Sequence, residues 1–301
     1  MFELKNEKIA IPVVLFSGLI WSFGPLVVRY MNEPQLVIWQ YIFARGLTIF
    51  ILLNLYLFFE EGLNFYKNYF KIGSSGIIGG SGLGIAMVTF IYSITNTSAA
   101  VTLLCLAAMP FFTALLGFLF LKEKISLNVW IAILIAALGI IIIAIGNTGK
   151  NSLLGLIFGM TSSIGFSVFS VSLRWRKETP KFTTVAFAGF FCVALSTIFI
   201  LNNGLNFFSS SYNGVMFSLH GSLVCMGLIL YSIGSKAIPA AELTLLSLTE
   251  VIGGIFWIWL PLFGINEIPS TNTVIGGFFL FMSIIYYSLT IKTNRRFIAL
   301  N

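Results

Sequence analysis

Long apolar runs separated by short polar clusters make up almost the whole of this chain. Ten runs stand out, at 9–28, 35–58, 72–94, 97–120, 128–146, 152–173, 183–202, 214–235, 240–262 and 273–291. Each is close to the roughly 20 residues that one helix needs to cross the hydrocarbon of a bilayer. Apolar positions fill the runs continuously; they do not mark one stripe, as they would on a helix with a water-facing side. The pattern therefore predicts ten membrane-spanning helices joined by short loops. Between the third and fourth runs, Thr95-Asn96-Thr97 is the only polar interruption. Between the eighth and ninth, Lys236 and Pro239 mark the stop.

Composition narrows the function classes. Of 301 residues, 58% are hydrophobic and only 9% are charged, whereas an ordinary soluble domain carries about a quarter charged residues. That excludes a soluble enzyme, a disordered regulator and a nucleic-acid-binding domain, and it makes the lipid bilayer the surroundings of an all-α membrane protein. The net charge of +7 is a matter of placement. With the N-terminus inside, 14 of the 17 Lys and Arg fall on one side, only Arg29 and Lys150 fall on the other, and Arg45 lies within a span. This bias predicts an N-in, C-in topology. The run at Ile9 to Val28 is too long for a cleavable signal and has no small-residue cleavage site. Cys105, Cys192 and Cys225 are scattered through apolar runs and read as small core hydrophobes, with no disulfide framework and no metal-ligand spacing. No cofactor is implied.

The loop near 146–152 divides the ten runs into five and five. Gly18 and Gly24 fall 141 residues before Gly159 and Gly165, and Ala99-Ala100 fall 141 before Ala240-Ala241. Glu123 and Glu267, after the fourth and ninth runs, are 144 apart. We read residues 1–148 and 149–301 as two five-helix repeats. An odd number of spans per repeat makes the second enter the membrane inverted, an architecture used by many secondary transporters.

Several short motifs add a resemblance. They are Trp21-Ser22-Phe23-Gly24 in the first run, Phe43-Ala44-Arg45 in the second, and Pro110, Leu115-Leu116-Gly117 and Leu121-Lys122-Glu123 in and after the fourth. Ala137-Leu138-Gly139-Ile140 follows in the fifth. Leu248-Thr249-Glu250-Val251, Trp257, Trp259 and Glu267 lie in or after the ninth. In these the chain resembles the EamA-type branch of the drug/metabolite transporter superfamily. It departs from the family pattern at Val251, where a proline often follows the glutamate, and in a longer Glu267 loop. The resemblance implies a carrier with two five-helix repeats, moving a small organic metabolite, often an amino acid and often outward. It also implies a multi-pass protein of a bacterial inner membrane.

Arg45 and Glu250 are the two charges expected near mid-membrane, where an ionised group is costly and needs a partner. They could clasp the carboxylate and ammonium of a zwitterion, or pair with each other. Glu250 could also carry a coupling proton. Glu242 sits in a first helical turn, where the helix dipole favours a carboxylate. His220, the sole histidine, could bind substrate or exchange a proton. Trp21 lies mid-span and reads as a pocket wall, with Tyr92 and Ser162 as polar lining. Trp257 and Trp259 read as interfacial anchors, and Pro25 and Pro110 as kinks. The expected substrate site is thus Trp21, Arg45, Tyr92, Ser162, His220 and Glu250. The alternatives are an importer of an osmolyte, quaternary amine or nucleotide-like metabolite, or a channel or lipid-handling protein. A membrane enzyme would need clustered acids, histidines or a nucleophile with its base. Oligomeric state is left open.

Overall fold

The computed structural model describes residues 6–122, 127–146, 150–176, 178–235, 237–265 and 267–299. Glu123, Lys236 and residues 147–149, where the sequence divides the two repeats, lie outside the described residues. Among those described, every regular element is helical. The order is α1 (Glu7–Trp21), α2 (Gly24–Tyr30), α3 (Ile38–Glu61), a short α4 (Lys67–Phe70) and α5 (Gly73–Asn96). Then come α6 (Ala99–Leu106), α7 (Met109–Leu121), α8 (Leu127–Gly146), α9 (Lys150–Trp175) and α10 (Lys181–Asn202). The last are α11 (Ser211–Gly234), α12 (Ala240–Leu246), α13 (Thr249–Trp259) and α14 (Thr271–Ala299).

Among the described residues, eight rods are long and apolar enough to cross a membrane, taking α1–α2, α6–α7 and α12–α13 as one rod each. The other two expected spans appear as shorter apolar stretches, Trp130–Gly146 in α8 and Thr271–Tyr286 in α14. α14 continues as helix to Ala299.

Three rods are broken, and the breaks are local tightenings of the backbone. At Ser22-Phe23 and at Ala107-Ala108, amides turn to carbonyls three residues back: Phe23 N–H to Ile20 O at 3.3 Å, and Ala108 N–H to Cys105 O at 3.1 Å. Pro25 and Pro110 follow in the first turn of α2 and α7, where a missing N–H costs nothing. The third break, at Ser247-Leu248, was not foreseen, because Val251 stands where a proline would signal it. It is held by another helix instead. The Thr249 hydroxyl donates to Leu15 O of α1 at 3.1 Å. Gly18 of α1 leaves the room: a β-carbon there would lie 2.8 Å from Ser247 O.

Helix pairing is set by small residues that let backbones approach. Gly82 of α5 meets the carbonyl of Gly165 of α9, Gly46 of α3 meets that of Gly189 of α10, and Gly139 of α8 meets that of Gly276 of α14. The neighbours also obey a rule. α1 packs on α11 as α9 does on α5, and α1 packs on α12–α13 as α9 does on α6–α7. α3 lies against α10, α8 against α14, and α6–α7 against α12–α13. Exchanging each rod with the one five places on leaves this pattern unchanged.

The interior is rich in hydroxyls. Ser163, Ser167 and Ser196 are fully buried and donate to carbonyls four residues back, which satisfies them where no water is available. Outward-facing positions are large and apolar, such as Leu134, Phe190, Ile198 and Phe278. The three cysteines are buried and free.

Candidate functional site

All three breaks meet at one place. A cavity of about 60 Å³ lies in the middle of the bundle, lined by residues that flank each break: Trp21, then Leu106 and Met109, then Glu250. Arg45 of α3, Met87 and Phe90 of α5, Ser162 and Phe166 of α9, and His220 of α11 complete most of the wall. A larger hollow of about 740 Å³ lies between α3 and α11, lined by Phe43, Phe208, Val215 and Ser218 among others, with no charged residue among its described lining. Charge singles out the central cavity.

Arg45 is 6% exposed. One of its terminal nitrogens donates to Met87 O at 3.2 Å, its guanidinium stands 5.8 Å from the Phe90 ring centre, and its Nε has no partner. Glu250 lies in the first turn of α13, because the chain breaks just before it. A carboxylate is favoured at that helix N-terminus; read as mid-helix, it had no such support. Both side chains line the cavity, and no ion pair joins them. Of the two arrangements the sequence left open, direct pairing is not the one adopted. An arginine with an unused donor and a carboxylate with no hydrogen-bond partner among the described residues, both facing one small space, is costly unless something occupies that space.

His220 is 2% exposed and shares a hydrogen bond between Nδ1 and the hydroxyl of Tyr41, a fully buried residue. Tyr41 in turn stacks on Phe217, ring centres 4.8 Å apart. This fixes the imidazole plane. Its Nε2 comes up against Gly24, where a β-carbon would lie 2.7 Å away. Trp21 donates its indole N–H to Val224 O at 3.2 Å and packs on Phe166 and Tyr231, with ring centres 5.8 and 5.7 Å apart. It is a wall, and its polar edge is satisfied by protein. Ser162 donates to Ala86 O at 2.9 Å, so toward the cavity its oxygen offers only an acceptor.

Five of the six expected residues therefore line one cavity. Tyr92 does not. It lies two residues beyond Phe90, which turns it to the opposite side of α5, where it packs on Trp39 and Phe158 with ring centres 5.5 and 5.0 Å away. Trp257 also departs from its expected role as an anchor. It is half-buried, stacks on Phe23 at 5.0 Å and donates to the Ser22 hydroxyl at 2.9 Å, closing the first break from behind. Trp259 is 58% exposed at the end of α13, as an anchor would be. Glu242 lies in the first turn of α12, away from the cavity lining. Sequence reasoning missed Tyr41, Met109 and Phe166. Tyr41 sits four residues before Arg45, a helical spacing that puts both on one face, and that was the available signal.

Known proteins match this chain as follows. Residues 8–145 match the EamA-like transporter family, so the resemblance read from the motifs holds over the first half. An uncharacterized transporter of Helicobacter pylori strain J99 is 29% identical over 62% of this chain and 61% of its own length. One from Helicobacter pylori strain 26695 is 28% identical over 54% of this chain and 53% of its own. The match thus spans about six tenths of the first relative's length and about half of the second's. The uncharacterized transporter YdfC of Bacillus subtilis is 26% identical over 72% of both chains. A solved crystal structure superposes with a TM-score of 0.64, covering 95% of this chain and 99% of that one at 15% identity. At that identity the likeness establishes the fold.

Proposed function

We propose that this chain, EamA-like over residues 8–145, is a secondary carrier that binds a small zwitterion in the central cavity. An amino acid or a close relative suits it best. The observation that carries the reading is that Arg45 and Glu250 line one space and are not paired. A carboxylate would take the open guanidinium donors and an ammonium would take Glu250, neutralising both at once. Trp21, Phe90, Phe166 and Met109 surround these charges with apolar wall, which suits a neutral side chain on the substrate.

Alternating access is the proposed mode of movement. Three discontinuous rods converge on the central cavity, and the main helix pairings are unchanged when each rod is exchanged with the one five places on. Both features support two inverted five-helix halves, 1–148 and 149–301, rocking about the cavity. Export is the proposed direction, across a bacterial inner membrane, with N- and C-termini inside. A proton is the proposed coupling ion. On the empty carrier it would neutralise Glu250 in place of the substrate ammonium.

A thermal-shift screen of the purified protein tests this reading. Amino acids should raise the melting temperature by mass action, and the shift should vanish in Arg45→Ala and Glu250→Gln. In proteoliposomes the same compound should show saturable exchange across the membrane. A shift that survives both substitutions, or is produced only by compounds lacking one of the two charges, overturns the zwitterion site.

A further inference from the structure

A second charged cluster lies at the end of the bundle that the proposed topology places outside. Arg29, in the last turn of α2, donates from Nε to Glu267 at 2.8 Å and from its two terminal nitrogens to Ile94 O at 2.8 Å and Thr97 O at 3.2 Å. The other carboxylate oxygen of Glu267 accepts from Ala99 N–H, the first amide of α6, at 2.7 Å. One guanidinium thus ties off the C-terminus of α5, and the carboxylate ties off the N-terminus of α6. Each supplies what an exposed helix end lacks.

The cluster joins the two halves of the chain, and its neighbours do the same. The Tyr30 hydroxyl donates to Phe263 O at 2.6 Å, and the Tyr212 hydroxyl donates to Tyr30 O at 2.9 Å. Asn32 N–H donates to the Asn213 side-chain oxygen at 3.0 Å, and the Asn213 amide donates back to Asn32 O at 3.0 Å. Each of these four neighbouring bonds, like the Arg29–Glu267 pair itself, has one partner before residue 148 and one after it, and each holds the segment from Arg29 to Asn32.

We propose that this cluster, with the Arg29–Glu267 pair at its centre, is the outer latch of the carrier, which must break for the central cavity to open outward. The proposal rests on the alternating-access reading. Two features distinguish a latch from a permanent brace. The first is water. The side chains of Arg29 and Glu267 are 21% and 24% exposed, so water can replace each bond as it breaks, and an ion pair at such a site contributes little net free energy. The second is connection. α2 leads straight back to the Ser22-Phe23 break beside the cavity, where Trp257 stacks on Phe23 and also meets Phe263, ring centres 6.0 Å apart. Releasing α2 at its outer end therefore loosens the break that joins it to Trp21, the last residue of α1, on the cavity wall.

The test uses the full chain in oriented membrane vesicles. Cys105, Cys192 and Cys225 are changed to alanine, and one reporter cysteine is placed in the cavity by Leu106→Cys. A membrane-impermeant maleimide is then added from outside or from inside. Glu267→Gln and Arg29→Gln should raise the outside labelling rate about tenfold and lower the inside rate, the signature of a shifted two-state equilibrium. Tyr30→Phe removes one neighbouring bond without changing charge, and it should raise the outside rate about threefold by the same shift. Unchanged outside labelling in the variants that insert and fold overturns the latch. So does an equal rise from both sides, which marks general loosening. The readout needs no substrate. A ligand that binds at Arg45 and Glu250 with no change in labelling sinks the latch alone, and altered labelling with no zwitterion binding sinks the substrate reading alone.

Discussion

Arg29 and Glu267 at one end of the bundle, and Arg45 and Glu250 at its centre, draw on the same chemistry. Each set takes a guanidinium from the first half and a carboxylate from the second, and each carboxylate sits at the start of a helix. At the end of the bundle the set closes on itself, with Glu267 bonded on both oxygens and Arg29 on all three nitrogens. At the centre, among the described residues, the Arg45 side chain makes one hydrogen bond, to Met87 O, and the Glu250 carboxylate makes none. Depth adds to the contrast at Arg45, which is 6% exposed, so that its unused donor is expensive; Glu250, like Arg29 and Glu267, is part-exposed. The open set is what a chain retains when a transient occupant completes it.

The largest expected effects test that occupant. Arg45→Ala should weaken zwitterion binding about 10- to 100-fold, the equivalent of the roughly 1.5–3 kcal/mol carried by hydrogen bonds to a charged group. Glu250→Gln should act in the same direction, and both are measured as loss of the ligand-induced thermal shift. The comparison sharpens when the empty protein is melted. Glu267→Gln strips partners from Arg29 and from Ala99 N–H, but both side chains of the pair are part-exposed, so it should destabilise by no more than about 1 kcal/mol. Glu250→Gln removes no side-chain hydrogen bond seen among the described residues and should leave the melting temperature unchanged or raise it. Equal destabilisation by the two substitutions would erase the distinction between a closed pair and an open one.

A smaller effect is expected one layer out. The Tyr41 hydroxyl holds His220 by its Nδ1, and both residues are buried. Tyr41→Phe should cost about 1 kcal/mol and weaken ligand binding about fivefold, by letting the imidazole turn away from the cavity. Binding that stays at the wild-type level would make His220 a packing residue and confine recognition to Arg45 and Glu250.

The rods were legible because lipid imposes a blunt rule: long apolar runs with the rare charges inside them. The same rule picked out Arg45 and Glu250, since a charge within an apolar run stands out without any knowledge of the fold. What stayed hidden depends on contacts between rods. The break before Glu250 is made by Thr249 reaching Leu15 across to α1, and no local signal marks it. Tyr92 seemed suitable by type, yet helix rotation turns it from the cavity. Arg29 read as a loop charge and Glu267 as a motif residue, and only the fold brings them to 2.8 Å. Trp257 looked like an anchor because aromatic residues near span ends usually are. Its hydrogen bond to Ser22, 235 positions away, is a tertiary fact.

That bond provides the finest test, because it lies between the two regions. The Ser22 hydroxyl donates to Leu19 O at 2.6 Å and accepts from Trp257 Nε1 at 2.9 Å. Ser22→Ala removes both bonds while leaving the cavity charges and the outer pair in place. Trp257 is only half-buried, so water can take up its N–H, and the loss should be about 0.5–1 kcal/mol in thermal unfolding. The informative quantity is the coupling. If the first break is the mechanical link between cavity and latch, Ser22→Ala and Glu267→Gln should be non-additive by at least about 0.5 kcal/mol in a double-mutant cycle. Ser22→Ala paired with a distant change such as Gly204→Ala should be additive. Additivity with Glu267→Gln as well would mean that the two charged sets share a bundle without sharing a motion, and the comparison between them would then describe two independent sites.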